Sequence, residues 1–349
     1  MQSTSAGRSE EHAILRVAIA GAGMAGAYLY RLMKVDGIDS VVLFDEKKTN
    51  RCGHKPCAWG VAPVTEYRRL VGAVAEPRDY ELKHSDHIII DGVRMKADML
   101  TIDKARLISD LVGGDVVRHD RPVGEDFDRI IDATGVARAF LEPTRGPEVI
   151  ADCIQYRISN ESDLGMWFKT SGLGYEWCFP LGNNEYHLGF GNLAARVKDY
   201  RPVETGVPPV SLSKIRCKCN SRVRLTSPFH SQPFVSRGKV VGIGESIGTV
   251  GPLGADGNLY AMQSAEMLLD HWDDLEGYSE AILKRFDWMR KERKVLDKLV
   301  GGQVPSIADA RTFVAHGKRI GIGMGPVEAL RLFKKAMEGR RIPPEEKKA

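Results

Sequence analysis

The chain of 349 residues is 43% hydrophobic and carries a formal net charge of only +4. This length and apolar content predict a globular protein, with two domains favoured over one, and exclude a disordered chain. The small net charge, and the lack of a dense Lys/Arg stripe before residue 330, argue against nucleic-acid binding.

Residues 1–13 are polar and predict a flexible tail without the apolar segment of a signal peptide. No apolar run approaches the roughly 20 residues that cross a bilayer, so we expect a cytoplasmic protein. The six cysteines are scattered along the chain, which favours reduced thiols over a disulfide framework. The pairs Cys52/Cys57 and Cys217/Cys219 lack the spacing of zinc ribbons, so we expect no metal site.

The first predicted elements form a nucleotide-binding unit. A buried strand over residues 14–20 is followed by Gly21, Gly23 and Gly26 and by a helix, and a second strand ends at Asp45. The first glycine permits a tight turn, the second lets backbone approach a pyrophosphate, and the third lets the helix pack on the strand. The helix N-terminus attracts the phosphate, and the acid binds ribose hydroxyls. The unit predicts a dinucleotide, which is either NAD or FAD.

The next elements include a hairpin and a helix. Residues 46–63 have the composition of a loop. Strands over 87–90 and 93–96 flank Asp91-Gly92, which is the strongest short signal for a β-hairpin. A helix is predicted to start at Asp103, with apolar residues on one face.

The middle of the chain is rich in strand patterns. A buried strand ends at Asp132 and is followed by Gly135. Beyond it, alternating patterns predict a separate antiparallel sheet. Its strands are expected at residues 149–159, 165–169, 175–181 and 185–191.

A second glycine-rich turn follows a short strand over residues 239–244. It contains Gly244, Glu245, Gly248, Gly254 and Gly257 and opens a helix over 259–272. A second helix N-terminus of this kind places backbone donors near a flavin ring or its ribityl phosphate. Helices over 278–299 and 327–337 complete the chain.

The predicted fold class is α/β, with a Rossmann-like FAD-binding domain, an antiparallel β-sheet substrate domain and a helical C-terminal region. The FAD-binding domain is expected to be discontinuous. The expected ranges are 14–60, 97–146 and 238–274 for the FAD-binding domain, 61–96 and 147–237 for the substrate domain, and 275–349 for the helical region.

Three aromatic residues, Tyr175, Trp177 and Phe179, recur at period two in one predicted strand. They therefore lie on one face of the sheet. Periodicity alone favours a place in the core for all three.

Over residues 15–275 the sequence resembles the geranylgeranyl reductase family of FAD-dependent oxidoreductases, a branch of the flavoproteins similar to p-hydroxybenzoate hydroxylase in fold. The shared segments are the first glycine turn with Asp45, the Asp132–Gly135 strand end, and Gly244–Gly248. Glu245 stands where the family usually has the aspartate that holds the ribityl chain. Lys104 occupies a region where relatives contact FAD with a basic residue, and Arg106 is the competing candidate.

Two further segments resemble the reductase branch in particular. The family has an aromatic-x-Trp-x-Phe-Pro motif followed by Gly-x-Gly, and a Lys-Pro-Cys segment that here ends at Cys57. Relatives tend to have Cys-Gly at the end of this segment, whereas this chain continues with Ala58, Trp59 and Gly60, and this bulk alters the expected pocket. The matching residues of the first motif are Tyr175, Trp177, Phe179, Pro180, Gly189 and Gly191.

The resemblance implies reduction of carbon–carbon double bonds in a polyprenyl chain, on a lipid, quinone or pigment precursor. Reduced FAD would supply the hydride and Cys57 is the candidate proton donor. The aromatic strand would line the substrate pocket. The electron donor stays open between NAD(P)H and a protein such as ferredoxin.

Other interpretations remain. A flavin-dependent monooxygenase or halogenase is the main alternative, because residues 174–181 are close to the halogenase Gly-Trp-x-Trp-x-Ile-Pro motif; Tyr175 and Cys57 count against it. A non-catalytic flavin or lipid carrier is the third. His54 and His187 are further proton-donor candidates, although we expect them to be solvated. The basic segment 325–341 packs on the body or lies on an anionic membrane surface.

Overall fold

The structure is a computed structural model that describes residues 15–46, 58–193, 215–303, 306–325, 327–329 and 331–332. These residues form two sheets and seven helices. The strands are β1 (Val17–Ala20), β2 (Val41–Phe44), β3 (Gly60–Val61), β4 (Glu81–Ile90), β5 (Val93–Ile102), β6 (Arg129–Asp132), β7 (Ile150–Ser159), β8 (Trp167–Ser171), β9 (Gly174–Gly182), β10 (Glu185–Asn192), β11 (Ile215–Arg224), β12 (Val235–Ser236) and β13 (Val240–Gly242). The helices are α1 (Met24–Val35), α2 (Val64–Gly72), α3 (Lys104–Val112), α4 (Asn258–Asp270), α5 (Leu275–Arg285), α6 (Asp287–Val300) and α7 (Ile307–Arg319).

The first sheet has the strand order β12-β13-β6-β1-β2 and is parallel except for the β12–β13 pair. Ala20 pairs with both Phe44 and Asp132, so the carboxyl ends of β1, β2 and β6 meet at one edge. One face of this sheet packs on α1, α3 and α4 in the largest apolar core. The predicted β-α-β unit and its parallel sheet are confirmed. In such sheets, ligands bind at this carboxyl edge.

The second sheet has the order β11-β7-β10-β9-β8-β4-β5-β3 and is antiparallel except where β4 meets β8. Its two tight hairpins follow from turn chemistry. Asp91 and Gly92 have φ of 49° and 80°, and Asn183 and Asn184 have φ of 50° and 57°. Asn, Asp and Gly tolerate this left-handed region, which a type I′ turn requires at both positions. The predicted antiparallel sheet is confirmed.

The second sheet includes more of the chain around residues 60–102 than the sequence predicts. Strand β5 continues to Ile102, past the expected boundary at residue 96, and β3 pairs with it through Gly60 and Val61. The second sheet therefore includes residues on both sides of the predicted 61–96 segment, Gly60 on one side and residues 97–102 on the other.

The C-terminal helices belong to the cores of both sheets. Tyr278 and Met289 are fully buried in the first core, whereas Leu296 and Met324 join the apolar cluster of the second sheet. The single helix predicted over 278–299 is wrong, because the chain breaks at Phe286 into α5 and α6. In the part of the chain that the structure describes, no helix has the length and apolar content needed to cross a membrane.

Candidate functional site

A cavity of about 1000 Å³ extends from the turn between β1 and α1 to the aromatic strand β9. Residues of both sheets and of the C-terminal segment line it. Its volume lies at the upper end of the range for small-molecule and cofactor sites. One cavity therefore has room for more than a compact metabolite.

The glycine turn is built as its spacing predicts. Gly21 has φ of +107°, and a Cβ there would lie 2.3 Å from the Ala133 carbonyl oxygen. A Cβ on Gly26 would lie 1.9 Å from the Gly21 oxygen, so α1 packs directly on the turn. Gly23 has no atom within 4 Å of its Cβ position and lines the cavity. It is also the N-cap of α1 and has no side-chain hydrogen bond there. The helix N-terminus thus adjoins open space.

Asp45 and Lys104 both line this part of the cavity. Asp45 directly follows β2, and its carbonyl oxygen is 2.9 Å from the His119 Nδ1 atom. Lys104 is the first residue of α3, and its Nζ donates to Asn258 Oδ1 at 2.8 Å. Arg106 instead is exposed and bonds the Asp79 carbonyl oxygen. The structure thus brings Lys104 to the cavity and leaves Arg106 outside it.

This placement predicts different effects for the two basic residues. Lys104→Met should weaken flavin binding by about 10- to 100-fold, the value of a lost hydrogen bond from a charged group. Arg106→Met removes only exposed contacts and should change affinity by no more than about twofold. Flavin titration of the two purified apoproteins measures both values. Equal effects of the two substitutions would remove Lys104 from the site.

Asp132 is engaged by the loop that follows β6. Its carboxylate is fully buried and accepts hydrogen bonds from the amides of Thr134, Phe140 and Leu141 at 2.8–3.1 Å, and from the Thr134 hydroxyl. It is not among the residues that line the cavity. The carboxylate therefore shapes the loop that carries Gly135.

Glu245 and Gly135 meet where the two sheets approach each other. A Cβ on Gly135 would lie 3.1 Å from Glu245 Oε2, and Glu245 Oε1 accepts a hydrogen bond from the Arg224 amide at 2.7 Å. Both Glu245 and Gly135 line the cavity. Nearby, burial and the Arg224 guanidinium lower the pKa of Arg138 to about 10, so Arg138 stays charged at neutral pH. The hydrogen bond from the Arg224 amide to Glu245 thus connects β11 with the second glycine turn.

The glycines of that second turn fall into two pairs, one in the packed interior and one at the cavity. Gly244 and Gly248 have φ of +65° and +79°, and neither lines the cavity. A Cβ on Gly244 would lie 2.8 Å from the Ala25 Cβ atom on α1. Gly254 and Gly257 do line the cavity, and Gly257 is the N-cap of α4 without a side-chain hydrogen bond.

The aromatic strand β9 explains the Gly-x-Gly segment. Trp177 pairs with Gly189 across the sheet, and a Cβ on Gly189 would lie 2.0 Å from the indole ring. Gly191 pairs with Tyr175 and also contacts the indole. The Trp177 Nε1 donates to Gln155 Oε1 at 3.2 Å. Gly189 itself does not line the cavity; it makes the space in which the indole lies flat on β10.

The rings of β9 form one wall of the cavity. Tyr175, Trp177 and Phe179 all line it, and Phe168 of β8 contacts Tyr175 and Phe179 edge to face at centroid distances of 5.7 and 5.5 Å. Trp177 and Phe179 are nevertheless buried, so they belong both to the core and to the wall. The Pro180 side chain is outside the cavity, and its carbonyl oxygen accepts from the Thr101 hydroxyl at 2.6 Å.

Trp59 also lines the cavity, and its ring lies 4.6 Å from the imidazole of His187. The expectation of a solvated His187 is wrong, because it is only 4% exposed. Burial, together with the Arg157 charge, lowers the pKa of His187 to about 3, so it is neutral at physiological pH.

The candidates Cys57 and His54 lie outside the described residues. Within the described ranges, no group of three or more His, Cys, Asp and Glu side chains is arranged to hold a metal ion.

Several residues of the cavity escape local sequence patterns. The acidic Asp256 and the basic His316 both line it, as do apolar residues near the C-terminus. Ile322 is held next to the second sheet by a β-bridge to Ala97. The segment after α7 contacts a strand that is distant in sequence. Apart from its apolar residues, its own sequence has no pattern that predicts this contact. The apolar C-terminal residues of this wall are Leu296, Leu299, Phe313, Ile320, Ile322, Met324, Ala329 and Leu332.

Comparison with known proteins places the fold. No family model matches the chain. The chain is 25% identical over 339 residues to an uncharacterized protein of Methanocaldococcus jannaschii, with 81% of this chain and 90% of that protein covered. Among solved structures, a geranylgeranyl bacteriochlorophyll reductase-like protein of Thermoplasma acidophilum has a TM-score of 0.65 at 14% identity, covering 93% of this chain and 96% of its own.

Two other solved structures have the same fold. A tryptophan 6-halogenase of Streptomyces toxytricini has a TM-score of 0.64 at 14% identity, with 94% and 96% of the two chains covered. A probable FAD-dependent monooxygenase of Pseudomonas aeruginosa has a TM-score of 0.57 at 15% identity, with 82% and 96% covered. The chain thus has the mixed α/β fold of FAD-binding flavoproteins, as its sequence predicts.

Proposed function

We propose that this protein is an FAD-dependent reductase of carbon–carbon double bonds in a polyprenyl chain. The observation that carries the proposal is the continuity of the cavity. It runs without interruption from the glycine turn around Gly23 to the apolar wall around Trp177. A cofactor and an apolar substrate would therefore meet inside one cavity.

The residues at the first end of the cavity fit FAD. Gly23 leaves its Cβ position open, and the α1 N-terminus next to it suits a pyrophosphate. Asp45 stands at the end of β2, where an acid binds ribose. The uncapped N-terminus of α4 at Gly257 adds a second set of backbone donors at the cavity. When bound and reduced, FAD would supply a hydride.

The other end of the cavity suits a hydrocarbon chain. Tyr175, Trp177 and Phe179 form one wall and the aliphatic C-terminal segment forms another. Apolar walls bind a prenyl chain by removing its surface from water. They also exclude water from the reacting carbon atoms. The resemblance of residues 175–191 to the reductase motif supports the same substrate class.

The alternative is a flavin-dependent monooxygenase or halogenase. The similarity in fold to a halogenase is as high as that to the reductase-like protein, so fold alone supports both. These activities consume oxygen, whereas double-bond reduction does not. Oxygen dependence is therefore the property that separates the two proposals.

The test is an anaerobic reoxidation experiment. The flavin-loaded protein is reduced under anaerobic conditions and mixed with a geranylgeranyl lipid, and the flavin absorbance is followed. We expect reoxidation without oxygen and a lipid product heavier by two hydrogen atoms for each double bond reduced. A saturated prenyl lipid is the matched control and should leave the flavin reduced.

The opposite results have clear meanings. Reoxidation only after oxygen is admitted would favour the monooxygenase or halogenase. Failure of the apoprotein to bind FAD would overturn both proposals.

Replacing the chemical reductant with NADPH or with reduced ferredoxin identifies the class of electron donor. Liposome binding of the full chain tests the proposed contact of the basic C-terminal segment with a membrane.

A further inference from the structure

His316 is one of the residues of α7 that line the cavity. Its Nδ1 atom lies 3.1 Å from Glu292 Oε1 of α6, and Glu292 is only 1% exposed. The imidazole side chain keeps 10% of its surface accessible, and the residue lines the cavity. Because Nδ1 is engaged with Glu292, the ring can face the cavity only with its other edge.

Gly254 makes room for that other edge. A Cβ on Gly254 would lie 2.6 Å from His316 Cε1, 2.7 Å from Nε2 and 2.8 Å from Asp256 Oδ1. Nε2 and the Asp256 carboxylate therefore lie next to each other, above a residue that has no side chain. The Gly254 carbonyl in turn accepts a hydrogen bond from the Tyr175 hydroxyl at 2.6 Å. The imidazole thus adjoins the loop that the aromatic wall holds in place.

The charges around His316 favour its protonated form. Both Asp256 oxygens and the Glu292 Oε2 atom are buried without a hydrogen bond among the described residues. Arg319 donates to Glu292 Oε1 at 2.7 Å, and one guanidinium balances only one of the two carboxylates. Tyr260, the remaining ionisable neighbour, is kept neutral because burial and the Asp256 charge raise its pKa well above the usual value. His316 is in position to supply a second positive charge beside these carboxylates.

The pKa directions agree with this charge balance. Burial opposes the charge of His316, but the carboxylates of Glu292 and Asp256 outweigh it, so the pKa of His316 is raised above 6.5. Burial also raises the pKa of Asp256 against the opposing effect of His316. The protonation of His316 and that of Asp256 therefore depend on each other.

We propose that His316 is the proton donor of the cavity, with Glu292 as the residue that orients its ring and Asp256 as the residue that holds its charge. The inference deepens the proposed function and rests on it. A carboxylate behind an imidazole is a recurrent arrangement for fixing the orientation and tautomer of a catalytic histidine. Cys57 remains the donor that the sequence favours, so the two candidates can be compared directly.

The proposed step balances as follows in the reduction of a double bond. One alkene carbon would take up the hydride that bound, reduced flavin would supply on its oxidation, and the neighbouring carbon would take up the Nε2 proton of the His316 imidazolium. The π bond breaks and two C–H bonds form. The neutral imidazole keeps its Nδ1–H bond to Glu292 and regains a proton from solvent.

The first test needs no substrate. The imidazole pKa of His316 is measured by NMR titration of the purified protein, assigned by its loss in His316→Gln. We expect a value above 6.5 in the wild-type protein and a lower one in Glu292→Gln, which removes the charge at constant shape. His87→Gln is the matched control, since His87 also pairs with a carboxylate, Asp86, but lies at the surface outside the cavity.

The second test uses the anaerobic reaction with a geranylgeranyl lipid. His316→Gln should lower turnover by about 100-fold or more, the usual contribution of a general acid. Because only the protonated ring donates, wild-type turnover should be level at low pH and fall as pH rises through the His316 pKa. In Glu292→Gln this fall should begin at a lower pH. Asp256→Asn should shift it in the same direction and serves if Glu292→Gln does not fold.

Each result decides a separate question. An unchanged rate and pH profile in His316→Gln, or a wild-type pKa at or below 6.5, overturns the proton-donor role. If Cys57→Ser alone removes turnover and His316→Gln does not, the donor is Cys57. If the wild-type protein does not act on the lipid, the proposed reductase function fails, and the titration alone decides whether the Glu292–His316 pair carries a proton.

Discussion

Gly26→Ala should give a protein that folds poorly, whereas Gly23→Ala should fold normally and bind flavin weakly. The two glycines lie in one turn, yet the space around them differs. A Cβ on Gly26 meets the backbone oxygen of Gly21 at 1.9 Å, so α1 would have to move off the sheet. A Cβ on Gly23 meets nothing within 4 Å, and its φ of −83° is allowed for alanine.

The expected magnitudes follow from these contacts. Gly26→Ala should lower the free energy of unfolding by about 3 kcal/mol, the upper end for overpacking. Gly23→Ala should cost about 1 kcal/mol or less as an N-cap change. Its methyl group would occupy the space where a pyrophosphate approaches the helix amides. Losing such a hydrogen bond costs about 1–3 kcal/mol, or roughly 10- to 100-fold in flavin affinity.

Chemical unfolding of the two apoproteins and titration with FAD separate the two effects. Gly37→Ala is not a suitable control, because its φ of +78° strains any side chain. Gly124→Ala is the better one, since nothing lies within 4 Å of its Cβ position and it is outside the cavity. If Gly23→Ala binds FAD as tightly as Gly124→Ala does, the glycine turn does not hold the cofactor.

On the proposed reductase function, Gly189→Ala should lower turnover of a prenyl substrate by about 100-fold although every residue of the aromatic wall remains present. The added Cβ would lie 2.0 Å from the Trp177 ring, so the indole must leave its place on β10. A displacement of about 1 Å in a substrate-positioning group costs on the order of 100-fold in rate. Trp177→Ala removes the ring itself and should have the same effect on turnover while flavin stays bound.

Stability must be separated from chemistry in this experiment. Trp177→Ala should also lower the free energy of unfolding by about 3–5 kcal/mol, because the side chain is buried. Cys178→Ala is the matched control. Cys178 lies between Trp177 and Phe179 in sequence but packs in a cluster on the opposite face of the sheet. Turnover by folded Gly189→Ala at the wild-type rate would show that the indole position does not matter for the substrate.

The sequence predicts the elements whose signals are local. The glycine turn and the hairpin at Asp91-Gly92 depend on backbone conformations that only a few residue types adopt. Each was therefore visible in a short stretch of sequence. The break at Phe286 was missed because apolar residues continue at helical spacing through both α5 and α6.

The site was harder to predict because its contacts are distant in sequence. An acid after a buried strand is typical of a ligand-binding residue, yet Asp132 is engaged by the loop that follows it. His316 reaches the cavity only because α7 packs on α6. Gly254 was expected at the cofactor, and the structure adds that its missing side chain leaves room for His316. Residues of this kind become visible only when the whole chain is folded.

The bridge between Ala97 and Ile322 has a consequence for biosynthesis. Strand β5 emerges from the ribosome long before the segment that covers it, and domains generally fold from the N-terminus during synthesis. The first glycine turn lies within the first β-α-β unit, but the wall of the cavity that contains Ile322 forms only after that residue has been made. A nascent chain would therefore expose the apolar residues of the cavity until this segment has been made. Chaperone demand should be concentrated in that interval.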